Sequence, residues 1–120
     1  MPAILSERRK LRRLGGMVLL LSMALFGSGG AALADRAPAR HVITIEAMRY
    51  TPQTLEVKAG DTVVWENKDA FPHTATAENR SFDSGEIASD GTWKFKAARK
   101  GVFNYVCTLH PTMKATLVVK

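Results

Sequence analysis

The sequence has a single cysteine among its 120 residues, so it cannot form an internal disulfide bond. After residue 35 it contains no stretch with the periodicity of an amphipathic helix, no internal repeat and no low-complexity segment. Sulfur and imidazole ligands are scarce there too, since besides the single cysteine that part holds only Met48, Met113 and three histidines. These absences argue against a disulfide scaffold, a helical domain, a repeat protein and a protein with several metal sites.

The positive charge of the chain is concentrated at its start. The first 34 residues hold five of the 17 Lys and Arg residues and one of the 11 Asp and Glu residues, so without them the net charge falls from +6 to +2. The basic composition therefore does not predict a nucleic-acid partner. The remaining 86 residues suffice for one small domain, and they are too few for a TIM barrel or a dinucleotide-binding doubly wound sheet.

Residues 1–34 have the pattern of an export signal. A basic segment is followed by a mostly apolar run over residues 14–26, and Ala32 and Ala34 match a small-x-small cleavage rule, with Asp35 as the first mature residue. Two alternatives stay open: residues 14–34 carry no charge and could be retained as an anchor, and the paired arginines fit either Sec or twin-arginine export. We predict a cleaved signal peptide, a flexible lead-in over 35–41, and a domain over 42–120.

The rest of the chain predicts an all-β sandwich. Segments 41–46 and 62–67 are rich in β-branched residues, and segments 55–57, 92–97 and 101–107 alternate between apolar and polar residues. The last segment repeats this alternation with Ala115, Leu117 and Val119 on one face. Gly, Asp and Pro separate these runs at short intervals, which is typical of a sandwich of two sheets. The irregular segment 79–90 is predicted to be a surface excursion.

One group of residues indicates metal chemistry. Cys107, His110 and Met113 recur at intervals of three after an alternating strand, and His73 lies 34 residues upstream. Two imidazoles, one thiolate and one thioether suit copper in both of its oxidation states, and His₂Cys with a weak axial Met is the blue-copper electron-transfer geometry. The alternative reading of Cys107 is a small buried apolar residue, although an unpaired cysteine is unusual in an exported protein.

These motifs make the chain resemble the cupredoxins of the plastocyanin and amicyanin group. The matching segments are residues 50–52, 55–65, 71–73, 82–85 and 101–113. The resemblance implies a Greek-key sandwich and one type I copper ion held by His73, Cys107, His110 and Met113, with a short ligand loop like that of amicyanin. One position departs from the family, which often has Asn after the first ligand histidine. Here it is Thr74, and a contact between Thr74 and Thr108 could take the place of that side chain.

The resemblance implies a monomeric, periplasmic carrier that shuttles one electron between redox proteins of the dehydrogenase, cytochrome or oxidase type. It implies no enzymatic activity, no nucleic-acid partner and, if the signal is cleaved, no stable membrane association. We predict that the apolar residues flanking the two histidines form the docking surface: Phe71, Pro72, Leu109 and Pro111. The main alternative is a copper-handling protein for storage, resistance or delivery, without redox turnover. A nucleophile–base pair of Cys107 and His110 is the least favoured hypothesis, because the small domain offers little room for a substrate cleft.

Overall fold

The computed structural model describes residues 36–120, which fold into eight β-strands. Most of the strands are short, as the close spacing of turn residues predicts. The strands, in chain order, are β1 (Arg40–Glu46), β2 (Arg49–Thr51), β3 (Thr54–Val57), β4 (Thr62–Asn67), β5 (Thr76–Ala77), β6 (Thr92–Lys96), β7 (Gly101–Val106) and β8 (Lys114–Val119). No helix among the described residues is long and apolar enough to cross a membrane.

The strands form two four-stranded sheets, with the orders β2-β1-β4-β6 and β3-β8-β7-β5. Each sheet is mixed: β1 pairs with β4, and β3 with β8, in parallel, while the other pairs are antiparallel. The prediction of an all-β sandwich is confirmed. The segments that follow β4 and β7 carry the predicted metal ligands, and they lie at the same end of the sandwich.

Alternating residues from both sheets form the core between them. From β4 these are Val63 and Trp65, both fully buried, and from β7 they are Phe103 and Tyr105. Phe82, from the segment between β5 and β6, lies at the centre of an aromatic cluster, with its ring centroid 4.8–6.3 Å from those of five neighbours. These neighbours are Trp65, Trp93, Phe95, Phe103 and Tyr105.

The first strand, β1, begins at Arg40, two residues before the predicted start of the domain at residue 42. His41, which was expected in the flexible lead-in, lies within this strand, and its Nε2 is 2.9 Å from the buried carboxylate of Asp61. The amide of Ala39 also donates to that carboxylate over 2.9 Å. These contacts hold Ala39 and His41, the last part of the predicted lead-in, against Asp61. The predicted signal segment lies outside the described residues.

Candidate metal centre

Three of the four predicted ligands bring their donor atoms together at one end of the sandwich. The Sγ of Cys107 is 3.7 Å from the Nδ1 of His73 and 3.7 Å from the Nδ1 of His110. All three donor atoms lie within 4.8 Å of one another. Two ligands of one metal ion, bonded at about 2.0–2.3 Å, are separated by roughly this distance. The donor set and its spacing therefore fit a single copper ion of type I.

The loop after β4 holds His73 in a fixed position. Its backbone exchanges two hydrogen bonds with Ile87: the His73 amide donates over 3.2 Å and its carbonyl accepts over 2.7 Å. Its side chain is fully buried, and Nε2 lies 2.7 Å from Oδ2 of Asp69. With Nε2 donating its proton to Asp69, the lone pair of Nδ1 is left facing Cys107, which is the tautomer that a metal ligand needs.

The carboxylate of Asp69 joins this histidine to the turn between β1 and β2. The amides of Ala47 and Met48 donate to its two oxygens over 2.8 and 3.1 Å. Both of these residues have positive φ angles, 55° and 62°, so the carboxylate stabilises a turn that non-glycine residues seldom adopt. Burial acts to raise the pKa of Asp69, but the hydrogen bonds from Met48, His73 and Ala47 outweigh it and keep that pKa below its ordinary value.

The other predicted ligands come from the tight loop between β7 and β8. Three backbone hydrogen bonds close it: His110 N to the Cys107 carbonyl (3.2 Å), Met113 N to the His110 carbonyl (2.9 Å) and Cys107 N to the Met113 carbonyl (3.1 Å). The last of these bonds puts Met113 beside Cys107, and the Met113 side chain is almost fully buried. The interval of three residues in the sequence thus corresponds to two successive turns, one from Cys107 to His110 and one from His110 to Met113.

The predicted contact between the two ligand loops is present at Thr74. Its Oγ1 accepts a hydrogen bond from the Thr108 amide over 2.9 Å and lies 3.2 Å from the Thr108 hydroxyl. The Thr74 amide donates to the Sγ of Cys107 over 3.3 Å. A threonine therefore joins the loops where the family often has asparagine, and the buried sulfur receives a hydrogen bond from the backbone of the same residue.

Apolar side chains surround the histidines at the surface. Phe71 and Leu109 are 43% and 42% exposed, and the Phe71 ring lies 5.2 Å from that of His73 and 5.6 Å from that of His110. Pro72 is half-buried and Pro111 is exposed. Within this surface His110 is half-buried, whereas His73 and Cys107 are fully buried.

Sequence reasoning missed two residues that position the site, Asn67 and Asp69. Asn67 is fully buried at the end of β4, where its Nδ2 donates to the carbonyls of Phe71 and Ile87 over 2.8 and 2.9 Å. Its Oδ1 accepts from the Asp69 amide over 3.0 Å. Two signals were available: a polar residue, Asn67, at an inward-facing position of β4, and the spacing of four between Asp69 and His73.

Comparisons with known proteins agree with this geometry. Residues 16–119 match the family model described as Cupredoxin-like domain. Amicyanin-alpha of Methylorubrum extorquens is 28% identical, over 81% of this chain and 87% of that protein. Amicyanin of Paracoccus denitrificans is 28% identical, over 82% of this chain and 88% of that protein. The solved Cu(I) form of an amicyanin variant superposes with a TM-score of 0.64 and 30% identity, covering 72% of this chain and 88% of that one.

Proposed function

Because this chain belongs to the cupredoxin-like family, we propose that it is a periplasmic carrier of single electrons whose copper ion is held by His73, Cys107, His110 and Met113. The copper cofactor and the electron-transport class are those of the family. The ligand assignment, the compartment and the mobile role are our inferences. The observation that carries the proposal is the convergence of two imidazole nitrogens on one buried thiol sulfur at 3.7 Å.

The protein's own residues make this a rigid site. Copper bound there supplies a one-electron couple between its Cu(II) and Cu(I) states. Asp69 holds His73 from behind, the Thr74 amide donates to the Cys107 sulfur, and the Thr74 hydroxyl fixes the distance between the two ligand loops. None of these contacts needs the metal. The donor atoms are thus preorganised, and little rearrangement is required when the charge of the site changes.

Burial of the ligands favours a carrier over a catalyst. His73, Cys107 and Met113 are at most 3% exposed, and the half-buried ring of His110 is the ligand that reaches the surface. A substrate would need an open coordination position and a cleft beside it. An electron needs only close approach of a partner to an edge of the ligand set, and the surface around His110 offers this.

We propose that redox partners dock on the apolar surface formed by Phe71, Pro72, Leu109 and Pro111. An exposed phenylalanine and an exposed leucine beside a ligand histidine cost solubility, and exposed apolar patches of this kind mark interaction sites. Electron-transfer encounters use small interfaces, so four side chains suffice for a transient complex. The donor and acceptor are redox proteins, for which the presence of amicyanins among the relatives gives a precedent.

The first test is a visible spectrum of the purified protein during titration with Cu(II), with Cys107→Ser as the control. We expect an intense thiolate-to-copper band that saturates at one equivalent, disappears reversibly on reduction and is absent from the serine variant. A protein that binds Cu(I) tightly and shows no such band would instead support the copper-handling function. A band retained by Cys107→Ser would contradict the ligand assignment.

The second test is the electron self-exchange rate between oxidised and reduced protein, measured by NMR line broadening. It needs no identified partner, because two copies approach each other through their docking surfaces. Leu109→Asp places a charge in both surfaces, and like charges in contact cost several kcal/mol, so we expect the rate to fall at least about tenfold. Val102→Asp is the matched control, because Val102 is a 64% exposed aliphatic residue on β7, away from the ligand loops. Equal rates in both variants would contradict the docking surface.

A further inference from the structure

The end of the sandwich opposite the ligand loops carries a group of exposed cations. Four segments meet there: the start of β1, the turn between β3 and β4, the end of β6, and the turn between β6 and β7. In the sheet register, Thr62 pairs with Arg40 on one side and with Lys96 on the other. Two backbone hydrogen bonds of 2.8 Å complete this end: the Gly60 amide donates to the Ala97 carbonyl, and the Ala59 amide donates to the Lys120 carbonyl. We call the five cations of this end the basic pole: Arg40, Lys58, Lys96, Arg99 and Lys100.

These charges are not neutralised locally. All five side chains are exposed, and none of them forms an ion pair with any residue in 36–120. Two acids lie nearby: Glu56 pairs with Lys120 over 2.6 Å, and the buried Asp61 accepts hydrogen bonds from the Ala39 and Lys58 amides. The five cations outnumber the one carboxylate, Asp61, that is left to offset them. The basic pole therefore presents a positive potential to solvent.

At the end of the sandwich that carries the ligand loops, positive and negative charges are balanced. Its basic residues are Arg49, Lys68 and Lys114, and they are interleaved with carboxylates. Glu46 is the register partner of Arg49, and Glu66 lies 3.8 Å from Lys68. The domain formed by residues 37–120 consequently has an asymmetric charge distribution, with the positive end opposite the proposed docking surface. Such an asymmetry orients a protein at a charged surface.

We propose that the basic pole binds the anionic headgroups of a phospholipid membrane, so that the copper end faces away from the membrane and stays open to redox partners. This inference rests on the proposed export of the chain, which brings the domain to a membrane surface. Each Lys or Arg near an anionic surface strengthens binding about fivefold, so five of them give appreciable but reversible binding.

Two observations favour a membrane over an acidic protein as the occupant. Three of the five cations are lysines, which are depleted at protein interfaces and common in membrane-binding polybasic surfaces. The chain also enters the fold at this end: residues 1–35, with their uncharged apolar run, connect through residues 36–39 to Arg40. If that run is retained as a membrane anchor, only residues 35–39 of the sequence separate it from Arg40, so the basic pole would lie near the same membrane.

The test is sedimentation with lipid vesicles, using protein expressed from the full 120-residue sequence. Vesicles of phosphatidylcholine with 30% phosphatidylglycerol, a fraction we choose to be roughly that of an anionic bacterial leaflet, are compared with pure phosphatidylcholine. Two triple variants lose the same net charge. The pole variant is Lys96→Gln, Arg99→Gln and Lys100→Gln, and the control is Arg49→Gln, Lys68→Gln and Lys114→Gln. Both keep the N-terminal segment, so a difference between them reports the basic pole alone.

We expect the pole variant to lose affinity for the anionic vesicles by about a hundredfold, and the control by much less. Raising the salt concentration should abolish the difference, because the Debye length falls to about 3 Å at 1 M. Equal losses in the two variants would mean that net charge alone matters and would overturn the proposal. Binding to polyglutamate without binding to anionic vesicles would overturn it in favour of an acidic protein.

A second measurement needs no variant. Vesicles that carry gadolinium-chelating headgroups should broaden the amide NMR signals of Ala98 and Gly101, at the basic pole, and leave those of Leu109 and Thr112 sharp. The reverse pattern would overturn the orientation. Both experiments work on protein without copper. A failure of the proposed electron carrier in the copper titration and a failure of the basic pole are therefore separate results.

Discussion

Thr74 is the point where this chain departs from the pattern of its family, and its hydroxyl offers a sharp test of how the two ligand loops are held. The Thr74 side chain is almost fully buried, and its oxygen has three partners: the Thr108 amide, the Thr108 hydroxyl and the Thr76 hydroxyl. Thr74→Val removes this oxygen and keeps the shape of the side chain. Thr74→Ser keeps the oxygen and removes a methyl group.

Thr74→Val removes one hydrogen bond from each of the three partners, but the energetic cost differs between them. The Thr76 hydroxyl retains its hydrogen bond to Asp83, over 3.0 Å, and the exposed Thr108 side chain can turn to water. The Thr108 amide is partly buried, and it keeps neither its acceptor nor free access to solvent. Leaving such a donor unsatisfied costs about 1–3 kcal/mol. Thr74→Ser should cost only about 0.8 kcal/mol, the value of one buried methyl group.

The assay is urea unfolding of the copper-free protein, which isolates the loop contact from metal affinity. We expect the free energy of unfolding to fall in the order wild type, Thr74→Ser, Thr74→Val. Thr108→Val is the control, because it removes the other hydroxyl and leaves the amide bond to Thr74 intact, so its cost should be below about 1 kcal/mol. A Thr74→Val protein as stable as Thr108→Val would refute the reasoning.

Three further predictions concern the supports of the site and the core. Asp69→Ala should destabilise the copper-free protein by about 2–4 kcal/mol, mainly because the buried His73 loses its partner, whereas Glu86→Ala, on an exposed residue, should have little effect in the same urea assay. Hydrogen bonds from the Gly85 amide and then Thr76 lower the pKa of Asp83. The stability that Asp83 adds is present above its ordinary pKa near 4 and is lost as the pH falls through the lowered value, so Asp83→Asn should flatten the dependence of stability on pH in that acidic range, as measured by thermal unfolding. Phe82→Ala should cost about 3–5 kcal/mol in the urea assay, because it empties the centre of the aromatic cluster, and a loss below 1 kcal/mol would contradict that packing.

The long strands could be predicted from the sequence because each has its own local pattern. In β7 and β8 the alternation puts Phe103, Tyr105, Ala115 and Leu117 on the inner face, where the structure buries them. The strands β2 and β5 could not be predicted, since they have only three and two residues and no alternation to detect. They exist because a neighbouring strand presents free backbone groups at the right register, and that is a property of the assembled fold.

The candidate site likewise has one part that a local sequence pattern predicts and one part that depends on the assembled fold. The spacing of Cys107, His110 and Met113 is local, so the sequence alone indicates that they can act together. His73 reaches them through pairing of distant segments: Thr76 pairs with Val106, and the backbone of His73 pairs with Ile87. Family resemblance, not spacing, was needed to place it.

Asn67 and Asp69, which position His73 and its loop, show why the rest of the site could not be predicted from the sequence. An asparagine at a strand end and an aspartate in a loop look like ordinary turn residues, because their role depends on which backbone groups the fold brings to them. Asn67 holds the loop that carries His73, Asp69 holds the His73 ring, and Thr74 joins that loop to Cys107. All of these partners are protein atoms. The geometry of the donor atoms is therefore a property of the folded chain, and a protein stripped of copper should keep its fold and recover its visible band on addition of one equivalent of metal.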